Sequence, residues 1–491
     1  MKILVNICRI LVGSLFIVSG LIKANDTLGF SYKLEEYFEN GALAYRIRDW
    51  FGWDSFSLEF LMEYALAIAI FMCVAEIVLG FALLFGAKIK FTLYSLLGLT
   101  ILFFFLTLHT ATCDPFATYN QLTEVEINSQ EHSIMLNKVE NNSKIEILKQ
   151  TDKTITYKEE MPVQCVTDCG CFGDAMKGSL GRSLTPWESF MKDLILILLI
   201  LPIFFYRNKI KSNTQNEDLI LGVFAILFVT LFSWIFSWYF PVVFTLIGFG
   251  GYYGLKRAFK NDSNQWLTFL LSFLISIIFI YYTYNHLPVK DYRAYAVGKS
   301  IPEQMTLPEG AIPDVYENIF YYKNKTTGET EEFLESNYPW DDDNYEFVDR
   351  TTKLIKAGDK ATITDFTIIG EDQYDFTADF MNEEGYLYLF VAHDISKTAV
   401  SPIKKINTFA DQCFADGQYF IGLSSSSYAN IEEFRHQNQT MFDFYTCDGI
   451  TLKTIVRANP GIVLLKKGVV IAKWNANDLP QYENVKKTYH K

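Results

Sequence analysis

Four of the chain's eight cysteines lie in one loop between two long apolar segments. Cys113 follows the first of these segments, and Cys165, Cys169 and Cys171 precede the second. Thiols gathered in this way can exchange disulfide bonds, because a thiolate attacks a disulfide sulfur. Four cysteines also suit a tetrahedral zinc site, but the loop has no paired C-x-x-C sequences. The pattern therefore favours thiol–disulfide chemistry at these four residues and predicts no metal site.

The residues around these cysteines favour exchange over static bridges. Gly170 separates Cys169 from Cys171 and lets the backbone bend sharply, which favours a strained and reducible bridge. Residues 185–188 (TPWE) form a capping box with proline at the first helical position. A helix N-terminus carries partial positive charge, and such charge lowers the pKa of a nearby thiol. Two static disulfides that clip the loop are the alternative, and four cysteines allow three pairings.

Six apolar segments are long enough to cross a hydrocarbon core of about 30 Å as helices. They cover residues 3–22, 60–86, 91–111, 188–206, 219–239 and 265–285. Arg9 interrupts the first segment and no A-x-A-like cleavage site follows it, so we interpret it as a retained helix rather than a signal peptide. A shorter apolar segment covers 241–255. A hairpin at Tyr239-Pro241 would give seven spans. One continuous helix would instead reverse the membrane orientation of all later segments and put the C-terminal half in the cytoplasm.

The basic residues of the short loops predict the orientation, because cytoplasmic loops are enriched in lysine and arginine. If each segment crosses once, one side collects the basic residues Lys2, Lys88, Lys90, Arg207, Lys209 and Lys211. The N-terminus is then cytoplasmic, and the loops 24–57 and 113–186 lie outside, where disulfides persist in bacteria. We therefore expect a multi-pass protein of the bacterial inner membrane. With the hairpin, the C-terminal domain lies in the periplasm.

Several ionisable residues lie within or beside the apolar segments. Glu76 lies deep in the second segment, where a carboxylate is costly and normally faces a partner or a polar cavity. We expect either a structural pair with a residue such as Arg9, or a role as a proton relay or head-group ligand. His109 ends the third segment, just before the first loop cysteine. Solvation is the ordinary state of such a histidine, and proton acceptance beside a thiol is the alternative. Lys23 and Glu63 are expected at the outer interface, where long side chains reach water.

Three sequences of the membrane half carry a family resemblance: RILVGSLFIVSGLIK, AEIVLGFALLFG and CGCFGDAMKGSLGRSLTPWESFMKD. They resemble the DoxX/MauE-type redox-associated membrane proteins, over about residues 1–206. The resemblance implies a four-helix membrane bundle and either disulfide handling or sulfur and quinone chemistry. On this basis the four loop cysteines relay electrons between extracytoplasmic protein thiols and a membrane acceptor such as quinone. Residues 117–162 exceed the family's minimal loop, and their alternating polar sequence predicts a small β-rich insert.

The last 205 residues predict an acidic, soluble part in two sections. Residues 287–359 predict an extended connector, in which Asp341, Asp342 and Asp343 form a solvated turn, because the spacing of a calcium loop is absent. Residues 360–491 alternate strand and helix patterns, beginning with the strand YLYLFVA and ending with a hairpin at Lys467-Gly468. With Asn459-Pro460 before that hairpin, this order resembles the thioredoxin fold, whose proline at this position is cis.

This thioredoxin-like domain lacks the C-x-x-C sequence of redox-active thioredoxins. The corresponding position has VAHDISKTAVSP, with His393 and Asp394 where the thiols would be. Cys413 and Cys447 have no near partner in sequence, so we expect them to be small core or surface residues. The domain is therefore predicted to be redox-inactive and to bind a protein or peptide.

Composition and pattern together leave two hypotheses. A net charge of −13 and the lack of a basic, aromatic-interleaved array exclude nucleic-acid binding. The first hypothesis is a polytopic α-helical membrane protein that acts as a thiol–disulfide oxidoreductase, in contact with membrane lipids. It has a four-helix DoxX/MauE-like bundle (1–206), about three further spans (207–286), the connector and the C-terminal α/β thioredoxin-like domain. The alternative is a non-enzymatic membrane scaffold with structural disulfides, whose thioredoxin-like domain binds an envelope protein. A transporter is disfavoured, because the spans show no paired broken helices.

Overall fold

The structure is a computed structural model that divides into two compact units, the helical unit Met1–Arg293 and the C-terminal unit Ala294–Lys491. It describes the whole chain except residues 54, 127–144, 152, 167–169, 171, 177–181, 211, 260–263, 308, 357 and 491. The predicted boundary at 286/287 lies close to the division between the two units.

The described part of the helical unit contains nine α-helices. They are α1 Lys2–Asn25, α2 Thr27–Phe38, α3 Tyr45–Phe51, α4 Ala65–Phe85, α5 Ile89–Ala111, α6 Pro186–Tyr206, α7 Gln215–Ile235, α8 Phe240–Ala258 and α9 Asn264–Asn285. Six helical segments among the described residues are long and apolar enough to cross a membrane: Lys2–Asn25, Glu59–Phe85, Ile89–Ala111, Pro186–Lys209, Gln215–Ile235 and Gln265–Asn285. They match the six predicted segments and indicate a multi-pass membrane protein.

Helix α1 is the central helix of this unit. It is apolar on nearly all sides, as expected of a helix buried within a bundle, and it packs against α4, α6, α7 and α9. Glycines allow the close approach of α1 and α4. A Cβ added to Gly80 would lie 2.8 Å from the Gly13 carbonyl oxygen, and one added to Gly20 would lie 2.7 Å from Ile77 Cγ1. Helices α1, α4, α5 and α6 together form a four-helix group.

The break between α7 and α8 confirms a hairpin at the predicted position, but its second arm, α8, is not among the six helices that are long and apolar enough to cross a membrane. Pro241 stands in the first turn of α8, where its missing N–H costs no helical hydrogen bond. The Tyr252 hydroxyl, near the end of α8, donates to Asp218 Oδ2 at 3.2 Å, near the start of α7. Lys256 also pairs with Asp218. The two helices are therefore antiparallel, and a single continuous helix over this region is excluded.

The two ends of the helical unit differ in chemistry. At one end, the basic end, Lys2 pairs with Glu217 at 2.7 Å, and Lys88 N–H donates to Gln265 Oε1 at 2.9 Å. At the opposite end, the cysteine end, Asn25 exchanges hydrogen bonds of 2.7 and 3.1 Å with the backbone of Lys290. Of the predicted basic loop residues, Lys2 and Lys88 thus lie at one end, and the chain leaves the unit at the other.

The polar insert of the cysteine loop forms a three-stranded antiparallel sheet. Its strands are β1 Thr118–Glu126, β2 Ile145–Gln150 and β3 Thr154–Pro162, in the order β1-β3-β2. A small core of Val125, Ile155 and Tyr157 holds them together. The prediction of a β-rich insert is confirmed for the described residues.

Residues 287–359 differ from the extended connector that the sequence predicts. Three strands, β4 Val315–Asn324, β5 Thr330–Leu334 and β6 Tyr345–Lys356, form an antiparallel sheet in the order β5-β4-β6. Aromatic side chains at alternate positions pair across it, such as Tyr322 with Phe347 at 5.6 Å between ring centroids, and such pairs stabilise a sheet. The acidic residues Asp341, Asp342 and Asp343, which suggest a connector, lie in an exposed turn beside it, as the sequence predicts.

The end of the chain forms a five-stranded mixed sheet in the order β11-β10-β7-β8-β9. Strands β7 Tyr386–Val391, β8 Tyr419–Ser424 and β9 Phe444–Thr446 are parallel to one another. Strand β10 Gly461–Lys466 pairs antiparallel with β7 on one side and with β11 Val469–Asn475 on the other. The helices of the C-terminal unit are α10 Ile301–Met305, α11 Thr377–Met381, α12 Ile403–Ala415, α13 Tyr428–Asn438, α14 Gly449–Ile455 and α15 Tyr482–Tyr489. The Asn459-Pro460 peptide bond is cis, and Lys467-Gly468 forms the predicted hairpin turn, with positive φ at both residues.

Candidate functional site

A disulfide joins Cys113 to Cys165, with their Cα atoms 5.7 Å apart. Cys113 follows the end of α5 and Cys165 follows β3, so the bond closes the base of the three-stranded insert against the helical unit. This bond selects one of the three pairings that the sequence allows. The other two cysteines of the loop, Cys169 and Cys171, do not take part in this bond and lie outside the described residues.

The loop 24–57 covers the disulfide with helix α3. The Tyr45 hydroxyl lies 4.0 Å from Cys113 Sγ. Arg46 donates to the Thr112 hydroxyl at 2.8 Å and to the Thr112 carbonyl at 2.9 Å, which ties α3 to the residue before Cys113. Tyr45 and Arg46 are not among the predicted site residues, because nothing in their local pattern indicates that α3 folds onto the cysteine loop.

His109 is buried rather than solvated, contrary to the ordinary expectation for its position. Its side chain is 1% exposed, and neither ring nitrogen has a hydrogen-bond partner among the described residues. Its ring lies 6.3 Å from that of Tyr37 and 6.0 Å from that of Tyr45. Tyr45 therefore contacts both the histidine and the disulfide sulfur, and His109 as a proton acceptor stays a hypothesis.

Glu76 pairs with Lys23, and Arg9 has other partners. The two side chains are 3% and 2% exposed, so Lys23 lies inside the bundle and the expectation that it reaches the outer interface is wrong. Because Gly20 lets α1 approach α4, Lys23 reaches Glu76 one turn further along α1. Lys23 Nζ also donates to Ser19 Oγ at 3.3 Å. A buried charge requires such a partner, since an unpaired one is strongly unfavourable.

Arg9 caps the C-terminus of α4 at the basic end. Its guanidinium donates to the carbonyls of Leu83 and Leu84 at 3.0 and 3.1 Å and to Asn213 Oδ1 at 2.9 Å. The last carbonyls of a helix have no partner within the helix, and Arg9 satisfies two of them. Glu63, by contrast, is exposed, as expected.

A cavity of about 20 Å³ lies at the centre of the four-helix group. We refer to it as the charged cavity, since two ion pairs line it: Lys23 with Glu76, and Lys192 with Asp193. The second pair, from α6, has an N···O distance of 2.8 Å. Its carboxylate also accepts a hydrogen bond of 3.1 Å from the Thr107 hydroxyl of α5. This pair is not among the predicted site residues, although two adjacent charged residues within an apolar segment are a sequence feature that indicates a buried polar site.

The described neighbours of Cys171 pack against the helical unit. Gly170 is buried with a φ of +63°, and a Cβ there would meet Phe30 and Lys33 of α2 at 3.4 Å. Phe172 lines the charged cavity and lies under Lys192, whose Nζ is 5.1 Å from the ring centroid. The residue that follows Cys171 in the chain, Phe172, therefore forms part of the cavity wall.

The predicted capping box at the start of α6 is confirmed. Glu188 N–H donates to Thr185 Oγ1 at 3.3 Å, and Thr185 N–H donates to Glu188 Oε2 at 2.8 Å. Arg182 adds two hydrogen bonds of 2.7 and 2.8 Å to the same carboxylate. These contacts fix the helix N-terminus that the sequence predicts beside the loop thiols.

The C-terminal unit has buried, unpaired cysteines. Cys413 and Cys447 are free and lie in the core, as expected. Burial raises the pKa of the Cys413 thiol above its ordinary range and raises the pKa of Cys447 to about 12. Because the thiolate is the reactive species, these thiols are inert.

His393 and Asp394 lie in the loop that follows strand β7. Burial lowers the pKa of His393 to about 4, with nearby Lys453 acting in the same direction. Asp394 accepts hydrogen bonds from the Ser396 N–H and hydroxyl at 3.0 and 2.6 Å, and its carbonyl accepts from Asn459 Nδ2 at 2.8 Å. These contacts link the loop after β7 to the proline turn. Among the described residues, no group of three or more histidine, cysteine or acidic side chains is placed to hold a metal ion.

Comparison with known proteins gives one partial match. Residues 316–357 match a family described as a domain of unknown function (DUF8463), and this segment is nearly coextensive with the sheet β5-β4-β6. The match lies outside both regions that carry the resemblances to known families. Neither the comparison with curated proteins nor that with solved structures gives a match.

Proposed function

We propose that this chain is a DoxX/MauE-type thiol–disulfide oxidoreductase of the bacterial inner membrane. It relays electrons from extracytoplasmic protein thiols to quinone through Cys113, Cys165, Cys169 and Cys171. The observation that carries the proposal is the Cys113–Cys165 disulfide at the cysteine end of the helical unit. Cys169 and Cys171 follow Cys165 in the same loop of the sequence, so the chain supplies the further thiols that exchange with a disulfide requires.

The proposed reaction balances in two steps. A partner protein loses two thiol protons and two electrons and forms a disulfide, while a loop disulfide becomes a dithiol through a mixed-disulfide intermediate. The loop dithiol is then reoxidised by quinone, which takes up two electrons and two protons and becomes the quinol. The four loop cysteines supply an acceptor pair and a resolving pair for these steps.

The helical unit supports the membrane placement in this proposal. Its basic end suits the cytoplasm, since lysine and arginine are enriched in cytoplasmic loops, and its cysteine end then faces the oxidising side. The chain leaves the helical unit at the cysteine end, after Lys290. The C-terminal unit therefore belongs in the periplasm, on the same side as the loop cysteines.

The five-stranded sheet supports a thioredoxin-like C-terminal domain. Parallel β7 and β8, joined by a helix, followed by the antiparallel pair β10 and β11, give the strand arrangement that the resemblance implies. With inert thiols at Cys413 and Cys447, this domain binds the partner protein and does not exchange electrons itself. Thiol exchange is then confined to the loop.

Replacement of Cys171 by serine tests the proposal in cells. We expect periplasmic partner proteins to accumulate in the reduced state, as measured by alkylation of free thiols before and after strong reduction. The matched control is Cys73→Ser, since Cys73 is a buried free cysteine outside the loop. Equal redox states of the periplasmic proteins in both variants would contradict the proposal.

A second candidate function has one observation in its favour. The Cys113–Cys165 bond fastens the insert sheet to the helical unit, as a structural clip would. In that case the chain is a non-enzymatic scaffold whose C-terminal domain holds an envelope protein. The scaffold predicts that Cys171→Ser leaves the redox state of periplasmic proteins unchanged and that the envelope partner still co-purifies.

A further inference from the structure

We infer that a partner thiolate attacks the Cys113–Cys165 disulfide at Cys165, so that Cys113 is the leaving sulfur. Tyr45 stabilises the leaving thiolate, and Arg46 holds the Tyr45 hydroxyl in place for this role. This inference rests on the proposed function and names the sulfur to which the partner protein becomes covalently bound. It concerns a bond whose two cysteines are both described by the structure.

The surroundings of the two sulfurs decide the direction of attack. Cys113 and Cys165 are both partly exposed, so burial does not exclude an attack on either of them. In thiol–disulfide exchange, the sulfur whose thiol has the lower pKa is the better leaving group. Groups that stabilise a thiolate on one side of the bond therefore direct the attack to the other side.

Tyr45 is placed to donate a hydrogen bond to Cys113. Its hydroxyl oxygen lies 4.0 Å from Cys113 Sγ, and a disulfide sulfur has no hydrogen, so the tyrosine is the donor. Arg46 Nη2 donates to the same hydroxyl oxygen at 3.4 Å. A guanidinium has only donors, so this bond leaves the hydroxyl hydrogen free to point at the sulfur. When Cys113 becomes a thiolate, its acceptor is charged, and such hydrogen bonds are the stronger ones.

Arg46 also brings a positive charge to the Cys113 side of the bond. Its guanidinium is fixed by hydrogen bonds of 2.8 and 2.9 Å to the hydroxyl and carbonyl of Thr112. A nearby arginine favours a thiolate. The C-terminus of α5 opposes this with about half a unit of negative charge, but the guanidinium carries a full positive charge. The balance therefore favours a thiolate at Cys113.

Cys165 has no comparable support among the described residues. It follows Gln164, whose backbone N–H donates to the Gly41 carbonyl at 2.9 Å. In the part of the chain that the structure describes, the disulfide itself is the one bond of the Cys165 sulfur. This asymmetry makes Cys113 the leaving sulfur and Cys165 the attachment point of the partner.

The proposed step balances with the groups named. The partner thiolate forms a bond to Cys165 Sγ, the Cys113–Cys165 bond breaks, and its electron pair goes to Cys113 Sγ. Cys113 is then a thiolate that accepts a hydrogen bond from Tyr45, and no proton is transferred. A second thiolate of the partner attacks the partner sulfur of the mixed disulfide. The partner leaves as a disulfide, and Cys165 is released as the second thiolate.

The first test locates the attacked sulfur with glutathione, a monothiol, as the attacking reagent. The full-length protein in lipid nanodiscs has Cys169→Ser and Cys171→Ser, so that these thiols cannot exchange further. The reaction is quenched early with an alkylating reagent and analysed by mass spectrometry. We expect glutathione on Cys165 and the alkyl group on Cys113. Glutathione mainly on Cys113 would overturn the inference.

The second test removes only the donor hydroxyl. Tyr45→Phe should slow the reduction of the Cys113–Cys165 bond by glutathione about 10-fold, the effect expected of one hydrogen bond to a charged group. The matched control is Tyr119→Phe, because the Tyr119 ring lies 6.1 Å from that of Tyr45 while its hydroxyl donates to Gln121 Oε1 at 3.0 Å. This control should keep the wild-type rate. Equal rates for the two variants would refute the role of Tyr45.

A pH profile distinguishes the positioning role of Arg46 from a purely structural one. In the reduced protein, alkylation of Cys113 reports its thiolate. Arg46→Gln should move the profile to higher pH, and Arg46→Lys, which keeps the charge, should move it less. The other ionisable groups around Cys113 are common to all these variants: Tyr45, His109, Asp114 and Tyr119. An Arg46→Gln profile equal to that of the wild type would contradict the role of Arg46.

The outcomes for this inference and for the proposed function are separable, because glutathione replaces both the partner and the quinone. If Cys171→Ser leaves periplasmic proteins unaffected while Tyr45→Phe still slows the reduction by glutathione, the relay fails and the assignment of the leaving sulfur stands. If Cys171→Ser changes the redox state of those proteins while Tyr45→Phe is reduced at the wild-type rate, only the inference fails.

Discussion

The disulfide-bonded loop cysteines of the helical unit contrast with the cysteines of the C-terminal unit. In the helical unit, Cys113 and Cys165 form a disulfide in a loop that contains two more cysteines. In the C-terminal unit, Cys413 and Cys447 are buried, unpaired and, with raised pKa values, held as thiols. The chemistry open to a cysteine therefore depends on its surroundings, since function resides in particular side chains.

The largest expected effect separates the two sets of cysteines. Cys169→Ser should abolish quinol formation in nanodiscs, because the exchange pair loses a sulfur. Cys413→Ala should retain the wild-type rate, since that thiol is buried and inert. The initial rates of quinol formation are compared at equal protein concentration. Full activity of Cys169→Ser, or loss of activity in Cys413→Ala, would reverse the assignment of the two units.

The next effect concerns the buried ion pair of the helical unit. Lys23→Met removes the partner of Glu76 and should lower the free energy of unfolding by about 3–5 kcal/mol, the usual cost of leaving a buried charge unpaired. Lys2→Met breaks the surface pair with Glu217 instead and should leave the melting temperature unchanged. Thermal unfolding in detergent measures both. A Lys23→Met protein as stable as Lys2→Met would mean that Glu76 is not held by Lys23.

A third prediction gives the C-terminal unit its own pH dependence. The pKa of His393 is lowered to about 4 in the folded unit, against 6.5 for the unperturbed side chain. The stability that follows from this difference is complete above pH 6.5 and is lost as the pH falls from 6.5 towards 4, because the unfolded state then binds the proton more tightly. The full loss is about 3 kcal/mol, since a tenfold difference in proton affinity corresponds to about 1.4 kcal/mol.

Hydrogen exchange of strand β7 in the full-length protein checks the His393 prediction. Between pH 7 and pH 4, after correction for intrinsic exchange rates, the wild-type strand should lose protection, and His393→Gln should lose less. The histidine prediction fails if the two proteins lose protection equally. Helices of the helical unit provide the internal reference in the same digest.

The smallest effect tests the helix N-terminus beside the loop. Thr185→Ala removes the cap of α6 and Thr214→Ala removes the equivalent capping box of α7, each at a cost of about 1 kcal/mol. We expect only Thr185→Ala to slow the reaction of the loop thiols with an alkylating reagent, because α6 follows the cysteine loop in the chain, whereas α7 begins at the basic end. Equal reaction rates in the two variants would show that the helix dipole does not activate the loop thiols.

Much of the fold follows from local patterns in the sequence. Apolar length predicts the six long helices, Pro241 predicts the hairpin between α7 and α8, and the TPWE sequence predicts the cap of α6. In the C-terminal unit, alternating strand and helix patterns predict β7, β8 and the terminal hairpin. Each of these features depends on residues that are close together in the chain, so the sequence alone indicates them.

The partners across the fold are not predictable in the same way. Glu76 pairs with Lys23 rather than Arg9 because α1 packs on α4 with Lys23 level with Glu76 and Arg9 level with Leu83 and Leu84, which is a property of packing between distant segments. The Cys113–Cys165 disulfide belongs to one of the three ways in which four cysteines can pair, and the sequence does not distinguish among them. The sheet β5-β4-β6 is not predicted because acidic turns mask the alternating aromatic residues of its strands.

The most direct test of electron transfer through the loop is the oxidation state of its cysteines in intact membranes. Differential alkylation followed by mass spectrometry measures Cys169 and Cys171 with and without added quinone. We predict that a reduced fraction is present without quinone and disappears when quinone is added. Cysteines that stay fully oxidised, or fully reduced, under both conditions would contradict electron transfer through the loop.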